Sequence, residues 1–284
     1  MRSLQQFSRL VYYEIIKTFL KKRTYIGFLV VLVIVPLVEV AFKLEGGRFL
    51  RMATRGIAQD FILVGNLFNG WFVSQQLMNS LWFHIPLLIS FVAGDQLAGE
   101  ATSGTYRLIL IRPVSRTEIF LAKYFTTVLY VILFVAFLGV LSVGLALLLL
   151  GRGDLLVVQQ GILVLQESEV AWRFIMAYIL AAWSMITIAS IAFFMSSFVE
   201  NAIGPIVGTM GVVIVLSILT VIPVEVFSTA REYLFTYHMI VWQKMFVDPI
   251  PWEQIRISVL NLGVYTLAAV FSSWLIFVRK DILS

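Results

Sequence analysis

The sequence predicts an all-α, polytopic membrane protein with six transmembrane helices, and three observations predict it. The chain is 60% hydrophobic and only 13% charged, with a mean hydropathy of +0.95, whereas ordinary soluble domains carry about 25% charged residues. The charges it has are bunched. No Asp, Glu, Lys or Arg occurs in Phe61–Gly94 (34 residues), Tyr124–Gly151 (28) or Phe174–Val199 (26). Each run exceeds the roughly 20 residues a helix needs to cross a hydrocarbon core about 30 Å thick. Third, the basic residues favour one set of alternate connections, as the orientation rule for membrane helices requires.

Residues 1–22 form a basic amphipathic segment. Leu4, Phe7, Val11, Ile15 and Phe19 share one helical face, and Arg2, Gln6, Arg9 and Lys17 share the other. This predicts a helix lying in the headgroup region with its basic residues toward lipid phosphates. The first span is 25–42, behind Lys21-Lys22-Arg23, with Pro36 as a kink point and Glu39 near its far end. A carboxylate at that depth is costly. Glu39 reads either as an interfacial side chain reaching water or as part of an intramembrane polar site.

Residues 43–60 read as an external connection. The 34-residue uncharged run is too long for one untilted span. The second span is placed at 72–97, and the piece before it, with Gly65, Asn66, Asn69, Gly70 and Trp71, reads as an interfacial or re-entrant element. His84 and Pro86 fall inside the span. His84 reads either as a helix–helix hydrogen bonder or as a proton-relay group in an intramembrane polar site.

After a cytoplasmic loop at 98–117 comes the third span, 118–150. In the external segment 152–173, Leu155–Val158 and Ile162–Leu165 either pair as short strands or dip into the interface. The fourth span is 174–199. Glu200-Asn201 is a minimal turn, so the fifth span, 202–224, returns antiparallel. Gly204 and Gly208 stand at the spacing that lets helix backbones approach closely, as an interface within the chain or between two copies. In 226–254, Tyr233, Phe235, Tyr237, Trp242 and Phe246 interleave with Arg231, Lys244 and Asp248, which predicts short helices at the outer membrane face. The sixth span, 257–278, is closed by Arg279-Lys280-Asp281.

With the N-terminus inside, six Lys/Arg precede residue 24, four lie between Arg107 and Lys123 and two lie at the C-terminus. These twelve compare with nine outside, and the net charges are +6 inside and −1 outside. The most basic flank is the first, which usually dominates orientation, so both termini are expected in the cytoplasm. No small-residue cleavage site follows the first apolar run, which reads as a retained helix.

One polar island interrupts this pattern. Between Gly94 and Lys123 fall Asp95, Glu100, Arg107, Arg112, Arg116, Glu118 and Lys123. A short helix over 105–111 should close at Arg112, because Pro113 disfavours helical geometry before it. Ser115-Arg116-Thr117-Glu118 then fits a capping box opening the next helix. Glu100, Gly104-Thr105, Arg112-Pro113-Val114-Ser115-Arg116, Glu118 and Lys123 together resemble the cytoplasmic loop of ABC-2-type transporter permeases. The resemblance implies an elbow helix at residues 1–22, six spans, and external helices before the sixth. It also implies that Glu100, Gly104, Thr105, Arg107, Arg112, Pro113, Arg116 and Glu118 form the contact with an ATPase subunit. The partners it implies are two such ATPases, which carry ATP and Mg, and a second permease copy or homologue, in a bacterial or archaeal plasma membrane.

The chain carries no catalytic motif. It has no Gly-x-x-x-x-Gly-Lys-[Ser/Thr] for phosphate, no Gly-x-Ser-x-Gly, no His-Glu-x-x-His and no Cys. Two distant His predict no metal site, and the basic charge follows the membrane pattern rather than that of a nucleic-acid binder. Asn66, Asn69, Asn79, His84, Thr187 and Asn261 form no catalytic set by spacing. Beside an ATP-driven exporter of unread substrate stands a second expectation, a non-transporting membrane scaffold or sensor subunit with the same fold.

Overall fold

Long apolar runs satisfy their backbone groups most simply as helices, and the chain is predominantly helical. The computed structural model describes residues 2–53, 67–102, 114–158, 162–222 and 228–279. In chain order these give α1 (Arg2–Leu20), α2 (Thr24–Ala53), α3 (Gly70–Leu81), α4 (His84–Ala93), α5 (Asp95–Thr102) and α6 (Arg116–Leu150). A two-stranded sheet follows, β1 (Leu155–Val158) and β2 (Ile162–Leu165). Then come α7 (Glu167–Phe198), α8 (Ile203–Val221), α9 (Ser228–Arg231), α10 (Phe235–His238), a 3-10 helix (Val241–Phe246) and α11 (Trp252–Arg279).

Among the described residues, five helices are long and apolar enough to cross a membrane: α2 over Thr24–Gly46, α6, α7, α8 and α11. Counting the bent pair α3–α4 as one span gives six. The outward surface suits lipid. Leu37, Val140, Leu148, Val207 and Leu267 are all at least 65% exposed within the chain, an apolar belt larger than monomeric soluble proteins tolerate. These features are compatible with a multi-pass membrane protein. The hub is α7. Half of its apolar window is buried, against 17–33% for the other four helices, and it packs on α4, α6, α8, α11 and the 3-10 helix.

Four boundaries differ from the expectation. First, α2 continues through Pro36 to Ala53, so 43–53 is helix and not a loose connection. Second, the span placed at 72–97 is broken at Trp82–Phe83, and α3 and α4 meet at a 60° bend. Pro86 sits in the first turn of α4, where its missing N–H costs nothing, so it starts a helix and does not merely kink one. Third, the fourth helix begins at Glu167, seven residues before the uncharged run. Fourth, the all-α expectation meets one exception, because the two apolar pieces between α6 and α7 pair as antiparallel strands, Leu155 opposite Leu165 and Val158 opposite Ile162.

At that end of the bundle α3 starts against α6. Asn69 caps α3, its Oδ1 accepting from the Trp71 and Phe72 amides at 3.0 and 3.2 Å, while its Nδ2 donates to the Asp154 carbonyl at 2.7 Å. The Gly70 amide donates to the Gly151 carbonyl at 2.9 Å. A side chain at Gly70 would stand 2.6 Å from the Leu147 amide nitrogen, so only glycine permits this approach. The short helices after α8 cover the same end. Phe246 packs edge-on to Phe174, and Arg173, 3% exposed, reaches the Met245 and Val247 carbonyls and Asp248.

Candidate functional site

Among the described residues, the polar island supplies a buried charge cluster at the end of the bundle where α1 ends and α6 begins. α6 opens on the expected capping box. Ser115 Oγ accepts from the Glu118 amide at 3.2 Å, and the Glu118 carboxylate accepts from the Ser115 amide at 2.9 Å. Two turns on, the Lys123 ammonium is 1% exposed. It lies 2.9 Å from Glu14 Oε2 of α1 and 2.9 Å from Glu100 Oε1 of α5. Glu100, 2% exposed, also takes the Lys17 ammonium. One turn earlier on α5, Asp95 accepts from Lys21 at 2.8 Å and from Arg23. Between these two carboxylates Gln96 Nε2 donates to Thr18 Oγ1 at 3.2 Å.

A second set of bonds ties this cluster to the hub. Ser196 Oγ of α7 accepts from the Leu97 and Ala98 amides and donates to the Gly94 carbonyl at 2.6 Å. It thereby satisfies the α4–α5 break, whose free amides would otherwise be buried unpaired. Thr102 Oγ1, at the end of α5, donates to the Glu200 carbonyl in the α7–α8 turn. Arg116 Nη1 donates to the Val278 carbonyl at 2.9 Å, and Trp274 Nε1 to Thr117 Oγ1 at 3.1 Å, so the start of α6 is joined to the end of α11. The residues on both sides of 103–113 are therefore anchored, one to α1 and α7, the other to α1 and α11.

The structure brings Glu100, Arg116, Glu118 and Lys123 to one end of the bundle. Gly104, Thr105, Arg107, Arg112 and Pro113 lie outside the described residues. Lys17 and Lys123 hold the Glu100 carboxylate. One expectation needs correction: Lys17 does not face away from the bundle, because it reaches Glu100. The predicted apolar stripe of α1 is the face packed on α6, with Phe7 6.1 Å from Phe125 between ring centroids. Its exposed face carries Tyr12, Tyr13, Ile16 and Leu20.

Sequence reasoning missed Glu14 and the partners of Asp95. The signal was there: Glu14, Lys17, Thr18 and Lys21 recur at helical spacing along one edge of α1 and its turn.

The other candidate residues lie apart. Glu39 is fully buried and does not reach water as an interfacial side chain would. His84 is exposed at the α3–α4 break with Nδ1 3.1 Å from the Ser80 carbonyl, and no hydrogen bond or ion pair joins it to Glu39. Thr187 and Thr266 bond each other at 3.0 Å, and Asn79 accepts from Gln243 at 2.9 Å. Gly204 and Gly208 meet only side chains of the α7 end, Val199 at 3.3 Å and Met195 at 3.8 Å. Among the described residues, no three His, Cys, Asp or Glu gather as a metal site would require. The arrangement is a charged joint that ties the ends of α1, α5, α6, α7 and α11 together.

Comparison with known proteins places the chain in a family. The model of a family described as "Protein of unknown function (DUF2705)" matches residues 29–283, and the chain belongs to that family. It is similar to "Uncharacterized protein YhcI" of Bacillus subtilis (strain 168), 24% identical over 205 residues, which cover 69% of this chain and 64% of that protein. The match thus spans just under two thirds of that relative.

Proposed function

We propose that this member of a family of unassigned function is the membrane subunit of an ABC transporter of the ABC-2 permease type. It works as an exporter, with both termini on the cytoplasmic side of a plasma membrane. ATP and Mg belong to two separate ATPase subunits that dock on residues 98–117, and a second copy of the chain or a homologue completes the pore. The sequence pattern from Glu100 to Lys123 suggests this reading, and the anchoring of the residues on either side of it, Glu100 and Thr102 before and Arg116 and Lys123 after, carries it. A push on the segment is delivered through Glu100, Lys123 and Arg116 to α1, α6, α7 and α11 at once. Closure of the ATPases would then favour one of two packings of the spans, by as much as their contact differs between the two. The exposed Gly204, with the half-buried Gly208 one turn on, would let the second copy's helix approach closely.

The test is purification from native membranes in mild detergent. A P-loop ATPase is expected to co-purify, and its hydrolysis to depend on the chain. Arg112→Glu with Arg116→Glu should abolish both effects while leaving membrane insertion intact. Absence of any P-loop ATPase, or unchanged association and hydrolysis in the double variant, would overturn the assignment. Association without ATP-dependent transport would replace it with a scaffold or sensor role.

A further inference from the structure

α3 turns a polar face outward from an apolar bundle. Ser80 and His84 are exposed, and Gln76 and Asn79 beside them are half-buried. Residues 76, 80 and 84 follow at the four-residue spacing of one helical face. Ser80 Oγ donates to the Gln76 carbonyl at 2.9 Å, and His84 Nδ1 donates to the Ser80 carbonyl at 3.1 Å. These bonds run to backbone and leave the face itself unsatisfied. The Gln76 amide and His84 Nε2 have no partner among the described residues. Asn79 Oδ1 accepts from Gln243 Nε2 at 2.9 Å, so the segment between α8 and α11 adds a further amide at the edge of the face.

The face lies deep along the bundle. Ser74 donates to the Ser142 carbonyl of α6 at 3.2 Å. Met78, Leu81 and Ile85 share a small cavity with Val135 and Leu138 of α6. Residues 74–85 thus run beside 135–142 of α6, inside the uncharged stretch Tyr124–Gly151. Val135 stands twelve residues past Lys123, and Ser142 ten before Arg152. At about 1.5 Å per residue, the nearest charge along α6 is roughly 15 Å away, about half a hydrocarbon core.

The backbone gives way at the same place. α3 ends at Leu81, α4 starts at His84 after a 60° bend, and no side chain caps the start of α4. Irregular backbone at membrane depth is tolerated where it is buried in protein or lines water, and not against lipid. Here the residues on both sides of the break are exposed. Lipid tails offer no hydrogen bond to a bare amide or imidazole, so covering this face with them is costly.

We propose that Gln76, Ser80 and His84, at the α3–α4 break, line a water-filled path through the span. Its wall carries amide, hydroxyl and imidazole groups and neither Asp, Glu, Lys nor Arg, which suits hydrogen-bonding solutes over an ion of either sign. The inference deepens the transport reading by giving its passage a polar side. It rests on that reading only for what travels there, because hydration of the face needs no ATPase.

The chain has no cysteine, so a single introduced thiol is read without background. Ser80→Cys and His84→Cys are made in native membranes opened to both sides by freeze–thaw. The probe is ethylsulfonate methanethiosulfonate, a charged reagent that attacks thiolates and does not enter hydrocarbon. Ile132→Cys and Val140→Cys are the controls, on apolar surface of α6 at matching depth, 46% and 76% exposed within the chain. Ser80→Cys exchanges a hydroxyl for a thiol and preserves the shape of the face. Both α3 thiols are expected to react at least tenfold faster than either control. Rates no faster than the controls would overturn the proposal. An oxidant-driven disulfide dimer at Ser80→Cys with no labelling would also overturn it, and would assign the face to a dry contact with a second copy. Either failure leaves ATPase co-purification, and with it the transport reading, untouched.

Discussion

Replacing Lys123 with Met removes the one cation shared by Glu14 and Glu100 and leaves the aliphatic stem nearly intact. The ammonium is buried and bonded to both carboxylates at 2.9 Å. Glu14 is then left buried without its ion-pair partner. Glu100 keeps Lys17, but Lys17 is 37% exposed, and pairs with a solvent-exposed partner contribute at most about 1 kcal/mol. Breaking a buried pair by removing one partner costs about 3–5 kcal/mol. Each kcal/mol moves the midpoint by roughly 2–4 °C in a chain of a couple of hundred residues. Lys123→Met should therefore lower the melting midpoint of the detergent-solubilised protein by roughly 6–20 °C, read as loss of the monodisperse size-exclusion peak.

A companion variant separates charge from shape. Lys123→Met with Glu14→Gln and Glu100→Gln removes the three buried charges at nearly constant volume and leaves only the partly exposed Lys17, and replacing a buried ion set by neutral groups is often close to neutral in stability. It should recover most of the lost midpoint. If Lys123→Met melts within about 2 °C of the native protein, or if the triple variant is no better than the single one, the cluster does not hold α1 on α5 and α6, and the joint inferred from it does not exist.

Two further predictions concern the opposite end of the bundle. Burial, with the Lys244 ammonium adding to it and the Glu232 carbonyl opposing, holds the His238 imidazole below its ordinary value of 6.5. The ring is satisfied as a neutral group, donating from Nε2 to Glu232 at 2.8 Å with Nδ1 3.0 Å from Ser258 Oγ. The unfolded chain therefore binds the proton more readily. The His238 contribution is present in full above about pH 6.5 and is lost as pH falls from there through the lowered folded value. Melting midpoints measured from pH 8 to 5 should fall below 6.5, and His238→Gln should flatten that fall. Gly70→Ala should cost about 1–3 kcal/mol by pushing α3 off the α6 backbone, whereas Gly144→Ala, with open space around it, should stabilise by up to about 1 kcal/mol. Paired thermal melts of the two variants check this contrast.

What was legible in the sequence was whatever depends on local chemistry. The uncharged runs marked where the long helices lie, because backbone groups in lipid have few other ways to be satisfied. The Ser115–Glu118 box was visible because a cap is a contact between near neighbours. The pairing of 155–158 with 162–165 was one of two readings, and three intervening residues were too few to decide it. The failures share one cause. Helical periodicity sorts side chains into apolar and polar faces, but it cannot say that a polar side chain faces another polar side chain inside the protein. Periodicity places Lys17 toward lipid phosphates, yet a carboxylate 83 residues away claims it. For Glu39, position along the span leaves two readings open, interfacial or intramembrane, and the fold buries it inside the bundle. Pro86 reads within one span, although a first-turn proline is equally the start of a second helix, and the packing of α4 on α7 and α8 is the long-range contact that places it beyond the bend. Long-range charge pairing is therefore the level at which this fold and its candidate function are written. It is also the level that the two Lys123 variants interrogate, one by removing a buried partner and the other by neutralising the carboxylates that this leaves behind.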